Sequence, residues 1–260
     1  MLPEYATQYR RLWNHHWWWQ ARKRFVLHWI RKTAACHRIG QILDIGCGDA
    51  FLFDDLERIG TVFGVEPDAQ LISPDSPWRP RIEQASFDAG YETARRFDLV
   101  VMLDVLEHIE DDGGALRRVG QLLAPGGFLL MTVPALPVLW SIHDVANQHY
   151  RRYTLSGLCR RLRESGFEVW SRRYYFGWLV GPLLLRRLLF PGKNAAQASS
   201  YRPRVPIRPL NAAVRMVCLL EQWCSRFLPL PLGSSILAIA RIRPPSIDSS
   251  SASEMARQRR

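Results

Sequence analysis

The chain has 260 residues, of which 47% are hydrophobic, and it carries a net charge of +11. This length and composition are typical of one globular domain with insertions, and they exclude a wholly disordered chain. The five cysteines lack the paired spacing of a zinc site or a disulfide framework, and charged residues interrupt the N-terminal region where a secretory signal would lie. We therefore expect a cytoplasmic protein with no metal and no disulfides.

Residues 1–40 form a basic, aromatic segment with eight Lys or Arg residues and a single acid. Its large aromatic side chains recur near a helical period, at Trp13, Trp17, Phe25 and Trp29. The period predicts a helix over residues 8–35. Two interpretations are open: a helical cap that covers a ligand pocket, with Arg22 or Arg24 binding a ligand carboxylate, or tryptophans that only pack on a sheet.

Residues 41–50, QILDIGCGDA, predict a buried strand that runs into a glycine turn. Gly46 and Gly48 let the backbone approach a ligand that any Cβ would push away. A second strand, over residues 61–65, follows and ends at Glu66. An acid at the carboxyl end of that strand is placed to hydrogen-bond a ribose diol. The order of strand, turn, strand and carboxylate therefore predicts a nucleoside cofactor.

The helix predicted over residues 49–59 argues against a dinucleotide. Leu52 stands where a dinucleotide site usually has its third glycine, and Asp49 would face a pyrophosphate at the helix N-terminus. Because a carboxylate repels phosphate, the pattern disfavours NAD and tolerates a cofactor with an ammonium or sulfonium group.

The rest of the chain alternates between predicted strands and helices. The strands are predicted over residues 81–85, 97–103, 128–133, 167–176 and 234–242, and the helices over residues 111–123 and 154–165. Such alternation favours right-handed crossovers and a parallel sheet.

Several segments resemble motifs of the class I S-adenosylmethionine-dependent methyltransferases. DIGCG at residues 44–48 resembles motif I, and GVEPD at residues 64–68 resembles the motif with the ribose-binding acid. ASFD at residues 85–88 is similar to the motif with the adenine-contacting acid. FDLVVMLDVLEHI at residues 97–109 resembles the fourth strand and its LEH turn, and APGGFLLM at residues 124–131 resembles the hairpin and fifth strand.

The resemblance, which covers residues 41–135, implies a fold, a cofactor and its binding residues. The implied fold is a Rossmann-like, seven-stranded, mostly parallel sheet with an antiparallel last strand, and the implied cofactor is S-adenosylmethionine. The residues expected to bind it are Asp44, Gly46, Cys47, Gly48, Glu66, Pro67, Asp88, Asp104 and Arg22. Glu66 and Asp88 as plain turn residues, and Asp104 as a helix cap, are the alternatives.

The resemblance also predicts a domain organisation. An N-terminal helical cap over 1–40 is followed by a methyltransferase core over 41–176, a basic apolar insertion over 177–232, the final core strand over 233–242 and a disordered, serine-rich tail over 243–260.

The predicted insertion interleaves Trp and Leu with Arg. Residues 176–185 are uncharged, but a ten-residue helix is about 15 Å long, half of a hydrocarbon core of about 30 Å. It is therefore too short to span a bilayer. Two interpretations remain open: residues 177–215 lie peripherally on the inner face of the membrane beside anionic headgroups, or they form a helical subdomain with solvated arginines.

Three histidines are candidate general bases for an acceptor hydroxyl. His108 follows the fourth strand, and His143 and His149 follow the fifth, so all three are expected over the carboxyl edge of the sheet. Asp144 flanks His143, which favours His143 as the base, although a lone histidine is more often structural. Residues 140–153 resemble the H-D…H-Y-R-R-Y-T segment of methyltransferases often encoded with bacterial polysaccharide and glycolipid enzymes.

The predicted function is methyl transfer from S-adenosylmethionine to oxygen of a small-molecule or lipid-linked acceptor, of glycan or isoprenoid type, at the membrane surface. An RNA methyltransferase is an alternative that the basic flanks allow. However, the sequence has no recognisable RNA-binding module and no Asn/Asp-Pro-Pro-Tyr motif for methylating a base nitrogen, so nucleic acid is disfavoured. A non-catalytic S-adenosylmethionine-binding protein is the other alternative.

Overall fold

The computed structural model describes residues 3–189 and 204–243. These residues form a seven-stranded sheet with the strands β1 (Gln41–Ile45), β2 (Thr61–Val65), β3 (Ile82–Glu83), β4 (Phe97–Leu103), β5 (Leu123–Pro134), β6 (Phe167–Tyr175) and β7 (Ser235–Ile242). The strand order is β3-β2-β1-β4-β5-β7-β6. The strand β7 pairs antiparallel with both of its neighbours, β5 and β6, and the remaining pairings are parallel. The predicted Rossmann-like sheet with an antiparallel last strand is confirmed.

Helices cover both faces of this sheet. They are α1 (Pro3–His15), α2 (Trp17–Cys36), α3 (Phe53–Leu56), α4 (Asp112–Leu122), α5 (Ile142–Ala146), α6 (Leu155–Glu164), α7 (Val180–Leu189) and α8 (Arg208–Cys224). Alternate residues of β1 face opposite sides: Leu43 and Ile45 join the core with α4 and α6, whereas Ile42 joins the core with α2, α3 and α8. Burial on both faces explains the continuous apolar runs of the parallel strands.

Two of the predicted helices have the wrong bounds. The helix predicted over residues 49–59 is only α3, because Ala50 adopts a φ of +58° and continues the glycine turn. The helix predicted over residues 8–35 is two helices that meet at His16. The imidazole of His16 accepts a hydrogen bond from the Trp18 amide at 3.1 Å and so caps α2.

The fifth strand begins five residues earlier than predicted. Pro125, Gly126 and Gly127, which follow the helix predicted over residues 111–123, lie inside β5, next to a register shift in its pairing with β4. A Cβ on Gly127 would lie 2.9 Å from the Phe97 carbonyl oxygen, so glycine allows the two backbones to approach.

The chain between β6 and β7 carries α7 and α8, and α8 packs against α2. The Gln222 side chain donates to the Ala21 carbonyl at 2.8 Å, and the Asn211 side chain accepts from the Trp17 amide at 2.9 Å. Residues 190–203 of the predicted insertion and residues 244–260 of the predicted tail lie outside the described residues. Within residues 3–189 and 204–243, no helix combines the length and the hydropathy needed to cross a bilayer.

Candidate functional site

The glycine turn after β1 lies where β1, β2 and the segment after β4 meet. Gly46 and Gly48 have φ angles of +71° and +56°, in the left-handed region that favours glycine. A Cβ on Gly46 would lie 2.5 Å from Val105 Cγ2. The Gly46 amide donates to the Val65 carbonyl at 2.8 Å. The turn is therefore fixed against the end of β2, and it packs so closely on Val105 that a side chain at position 46 would clash.

Glu66 joins the end of β2 to this turn. Its Oε2 accepts from the Gly48 amide at 2.9 Å and its Oε1 from the Asp68 amide at 3.0 Å. The side chain is buried, and burial raises the pKa of Glu66 above its ordinary value. The structure thus brings Glu66 to the glycine turn, as the order of the motifs predicts.

The other predicted cofactor residues near these strand ends lie at different depths. Cys47 is buried inside the turn. Pro67 is exposed, as is Asp88, whose Oδ1 accepts from the Gly90 amide at 2.7 Å. Contacts of these three residues with a cofactor remain predictions.

Asp44 is a buried acid whose cost of ionisation is only partly offset by a nearby charge. The residue is 4% exposed, and within the described residues its carboxylate makes no hydrogen bond or ion pair. Burial raises the pKa of Asp44 to about 7, although the nearby Arg22 guanidinium acts in the opposite direction. A cationic ligand group beside Asp44 would favour its ionised form.

Arg22 reaches from α2 to the carboxyl end of β4. Its Nη2 lies 2.7 Å from Asp104 Oδ2, and Thr132 donates its hydroxyl to Asp104 Oδ1 at 2.8 Å. Arg22 is buried, and its Nε has no hydrogen-bond partner within the described residues. Two predicted cofactor residues, one from the cap and one from the sheet edge, therefore lie in direct contact.

The N-terminal helices cover the glycine turn. Trp13 stacks on Phe51 with ring centroids 5.0 Å apart, and Phe51 lies 3.2 Å from the position of a Cβ on Gly48. Arg10 Nε donates to Asp49 Oδ2 at 3.1 Å. Aromatic packing and one ion pair thus hold α1 over the turn, and the role of these helices as a cap over a ligand pocket remains a prediction.

The segment after β5 is organised around a buried carboxylate. Asp144 Oδ2 accepts from the Ser141 amide at 2.8 Å and completes the N-terminal capping box of α5. Asp144 Oδ1 accepts from Arg152 Nε at 2.7 Å and lies 3.0 Å from His149 Nδ1. Burial alone would raise the pKa of Asp144, but the hydrogen bonds from His149 and Arg152 outweigh it and hold the pKa well below its ordinary value.

The carboxylate of Asp144 therefore orients His149. His143, its neighbour in sequence, is exposed and lies 3.3 Å from the side-chain amide of Asn147. His143 does not share the His149 contact with Asp144 because consecutive residues on a helix do not face each other. The His149 ring meets the His108 ring edge to face, with centroids 4.6 Å apart. The general-base roles of all three histidines remain predictions.

A comparison with known families supplies the assignment of the chain. A family model described as a methyltransferase domain matches residues 17–172, more than half of the chain. The match includes α2, the glycine turn, Glu66 and the histidine segment.

The chain belongs to the methyltransferase domain family.

Relatives of this methyltransferase domain carry the name ubiquinone biosynthesis O-methyltransferase. One from Azorhizobium caulinodans is 34% identical over 99 residues, which cover 35% of this chain and 39% of the relative. One from Bradyrhizobium sp. (strain ORS 278) is 30% identical over 182 residues, which cover 66% of this chain and 68% of the relative. The matched part of the chain thus spans about two fifths of the Azorhizobium protein and about two thirds of the Bradyrhizobium protein.

A solved structure shows the same fold. The N-methyltransferase NodS from Bradyrhizobium japonicum WM9, in complex with S-adenosylhomocysteine, superimposes with a TM-score of 0.52 at 15% identity, over 90% of this chain and 91% of that chain. At this identity the likeness shows the fold alone.

The cofactor of the methyltransferase domain is S-adenosylmethionine. Two features of the structure fit this molecule, which carries an ammonium, a carboxylate and a ribose diol. Asp44 is a buried acid whose pKa burial raises, and Arg22 keeps a buried N–H without an acceptor in the described chain. The buried Glu66 lies beside the same turn.

Sequence reasoning did not single out Glu107. Its side chain is fully buried in the turn after β4, and neither carboxylate oxygen has a donor from another described residue. Burial, and then the charge of Asp104, raise the pKa of Glu107 well above its ordinary value. The available signal was an acid within the apolar turn VLEHI, since such an acid is rarely buried without a functional reason. Asp144 had a similar signal, the capping-box spacing Ser-x-x-Asp.

Proposed function

We propose that this chain transfers a methyl group from S-adenosylmethionine to an oxygen of a small-molecule or lipid-linked acceptor of isoprenoid type, at the inner face of a membrane. The observation that carries the proposal is the pair His108 and His149, which lies over the same sheet edge as the glycine turn. Asp144 orients His149, and the His108 ring packs on the His149 ring. Oxygen acceptors need such groups because a hydroxyl proton must leave as the carbon–oxygen bond forms.

In this proposal the acids and Arg22 bind the cofactor and do not form bonds to the methyl group. Glu66 binds the ribose hydroxyls, Asp44 binds the ammonium group, and Arg22 binds the carboxylate. The support is their burial near the glycine turn, the raised pKa of Asp44, and the missing hydrogen-bond partner of Arg22 Nε within the described residues. Asp88 contacts the adenine from the exposed loop after β3.

Methyl transfer depends more on the alignment of the acceptor with the methyl group than on side chains that form bonds to it. Bound S-adenosylmethionine supplies an electrophilic methyl carbon. The chain holds the acceptor oxygen in line with that carbon, and the aromatic cover of Trp13 and Phe51 excludes water that would compete. The edge formed by His108 and His149 promotes loss of the acceptor proton, with His149 held in place by Asp144.

Two observations support an isoprenoid-type acceptor at a membrane. The relatives are named for O-methylation in ubiquinone biosynthesis. In addition, α8 presents an apolar stripe at helical spacing to solvent, formed by Leu210, Val217, Leu220 and Trp223, each more than two fifths exposed. Exposed arginines, among them Arg215 and Arg226, lie in and just after α8. An apolar stripe with basic neighbours suits an interface with anionic headgroups.

The test is a methyl-transfer assay on the full chain in anionic vesicles. S-adenosylmethionine labelled in its methyl group is supplied with a polyprenylated phenol, with the same phenol lacking the prenyl chain, or with bulk RNA. The proposal predicts label in an ether of the prenylated phenol at a rate at least tenfold above the unprenylated one. Label in RNA alone would overturn the proposal in favour of an RNA methyltransferase, and equal labelling of both phenols would remove the isoprenoid part.

A further inference from the structure

A group of basic side chains lies where α2, β6 and the end of α8 meet. Arg24, His28 and Lys32 follow one another at intervals of four residues, so they line one stripe of α2. Arg173 of β6 joins this stripe, because its guanidinium and the Lys32 ammonium both lie over the ring of Trp29. The ring centroid is 4.5 Å from the guanidinium carbon and 4.9 Å from the ammonium nitrogen.

The end of α8 adds a further cation to this group. Arg173 Nη1 donates to the Ser225 carbonyl at 3.0 Å, and the next residue, Arg226, is exposed. Burial and four surrounding cations lower the pKa of His28; in order of their effect, these cations are Arg226, Lys32, Arg173 and Arg24. Four positive charges from three elements, called here the basic cluster, therefore act on one place.

The basic cluster has no acidic partner within residues 3–189 and 204–243, since none of its four cations forms an ion pair there. Other bases of the same helix do: Lys23 lies 2.7 Å from Asp55, and Arg31 lies 3.3 Å from it. The helix α2 thus pairs its bases on the side of α3 and leaves them unpaired on the side of α8. Because like charges repel, an anion from outside the chain would stabilise the basic cluster.

Two N–H groups at the centre of the basic cluster also lack acceptors. Trp29 Nε1 and Arg173 Nε are both buried, and neither has a hydrogen-bond partner among the described residues. The whole Trp29 residue is only 6% exposed. Buried donors in proteins are normally paired, so these two indicate that an acceptor is missing from this part of the described chain.

The residues that adjoin the basic cluster at the end of α8 are apolar. Trp223 and Phe227 lie on either side of Arg226 in the sequence and are 55% and 70% exposed. Their rings meet edge to face, with centroids 5.4 Å apart. Exposed aromatic side chains beside cations suit a ligand that joins an anionic head to an apolar body.

We propose that Lys32, Arg173 and Arg226 bind the phosphate group of a phosphate monoester, either the headgroup of a lipid or a soluble phosphate ester. Guanidinium groups bind phosphate oxygens by forked hydrogen bonds. A monoester carries about two negative charges near neutral pH, so it offsets more of the repulsion in the basic cluster than a singly charged diester does. Phosphate binding stands apart from methyl transfer, whereas a lipid as its source rests on the proposed membrane location.

The test compares flotation of the full chain with vesicles that carry phosphatidic acid, a monoester, and with vesicles that carry phosphatidylglycerol, a diester, at equal surface charge. Calorimetry with glycerol phosphate measures binding of a soluble monoester. We expect tighter binding of the monoester, and about tenfold weaker binding of it in Lys32→Gln and in Arg226→Gln, since each variant loses a charged donor. Arg31→Gln is the matched control: it removes the same charge from the paired side of α2 and keeps the wild-type affinity.

The two measurements distinguish the sources of the phosphate. Preference for phosphatidic acid vesicles without binding of glycerol phosphate supports a lipid headgroup, and binding of glycerol phosphate without a vesicle preference supports a soluble ester. Neither preference nor binding, or equal loss in Arg31→Gln and Lys32→Gln, overturns the inference. The thermal shift that S-adenosylhomocysteine produces checks the fold of each variant. Monoester binding by a chain that labels no phenol would support the phosphate site and contradict the proposed function, so the two failures are distinguishable.

Discussion

At the scale of single residues, the buried acid Asp44 links cofactor binding to pH. Burial raises its pKa from 3.8 to about 7, so the free protein keeps a proton on this group that the unfolded chain loses. Because the folded pKa lies above the unfolded one, the contribution of Asp44 to stability is largest at low pH and falls as pH rises from 3.8 to about 7. An ammonium group beside Asp44 would reverse this cost by stabilising its ionised form.

We therefore predict that cofactor binding releases a proton from Asp44. Calorimetry with S-adenosylhomocysteine, in buffers of different ionisation enthalpy, should show about half a proton released near pH 7 and almost none at pH 9, with affinity rising up to about pH 7. Asp44→Asn should abolish the release, weaken binding at least tenfold, and stabilise the free protein at pH 8. Proton release that persists in Asp44→Asn would assign it to another group.

The sequence predicted the arrangement at the glycine turn better than the arrangement around His108 and His149. Gly46 and Glu66 were predictable because a left-handed turn and a strand-end acid leave local signals. The histidine that contacts Asp144 was not predictable, because adjacency in sequence favoured His143. In the structure the chain turns after the end of α5, and His149 lies against the carboxylate. Glu107 was missed because its burial depends on the packing of segments far apart in sequence.

At the scale of elements, α8 has two different apolar sides. One side packs on α2, with Cys218 buried and Gln222 bonded to the Ala21 carbonyl. The opposite side leaves Leu210, Val217, Leu220 and Trp223 exposed. The first side supports the interpretation of the insertion as a folded subdomain, and the second supports a membrane contact. The two interpretations that the sequence left open are therefore compatible.

We predict that Leu220→Glu reduces flotation of the full chain with anionic vesicles at least fivefold, because it places a carboxylate in the apolar stripe near anionic headgroups. Gln121→Glu is the matched control. It adds the same charge at an exposed position of α4, which packs on the opposite face of the sheet. Equal flotation of wild type and Leu220→Glu would contradict a membrane role for α8.

Element bounds were predictable where side chains decide them and not where backbone geometry does. The helix predicted over residues 154–165 agrees with α6 within one residue at each end: the Thr154 hydroxyl accepts from the Gly157 amide at 3.0 Å, and Gly166, after the helix, has a φ of +90°. The glycine turn, by contrast, extends through Ala50, a residue whose positive φ no sequence rule predicts.

At the scale of the whole molecule, charge and fold are divided between regions. Residues 41–135, which carry the glycine turn, have 17 acids and 7 bases, whereas residues 171–215 have 9 bases and no acids. The acidic region suits a cofactor with a cationic centre, and the basic region suits an anionic surface. The sheet order was predictable from the resemblance to one family, while the packing of α8 on α2 depends on contacts about 200 residues apart in the chain.

The central claim is that the site at the glycine turn binds S-adenosylmethionine, and a thermal-shift measurement tests it most directly. S-adenosylhomocysteine at 100 times its dissociation constant adds about 2.7 kcal/mol, or roughly 5–10 °C for a chain of this size. We predict that shift for the wild type, less than a third of it for Glu66→Ala at the same concentration, and none with NADH. A shift with NADH and none with S-adenosylhomocysteine would contradict the account.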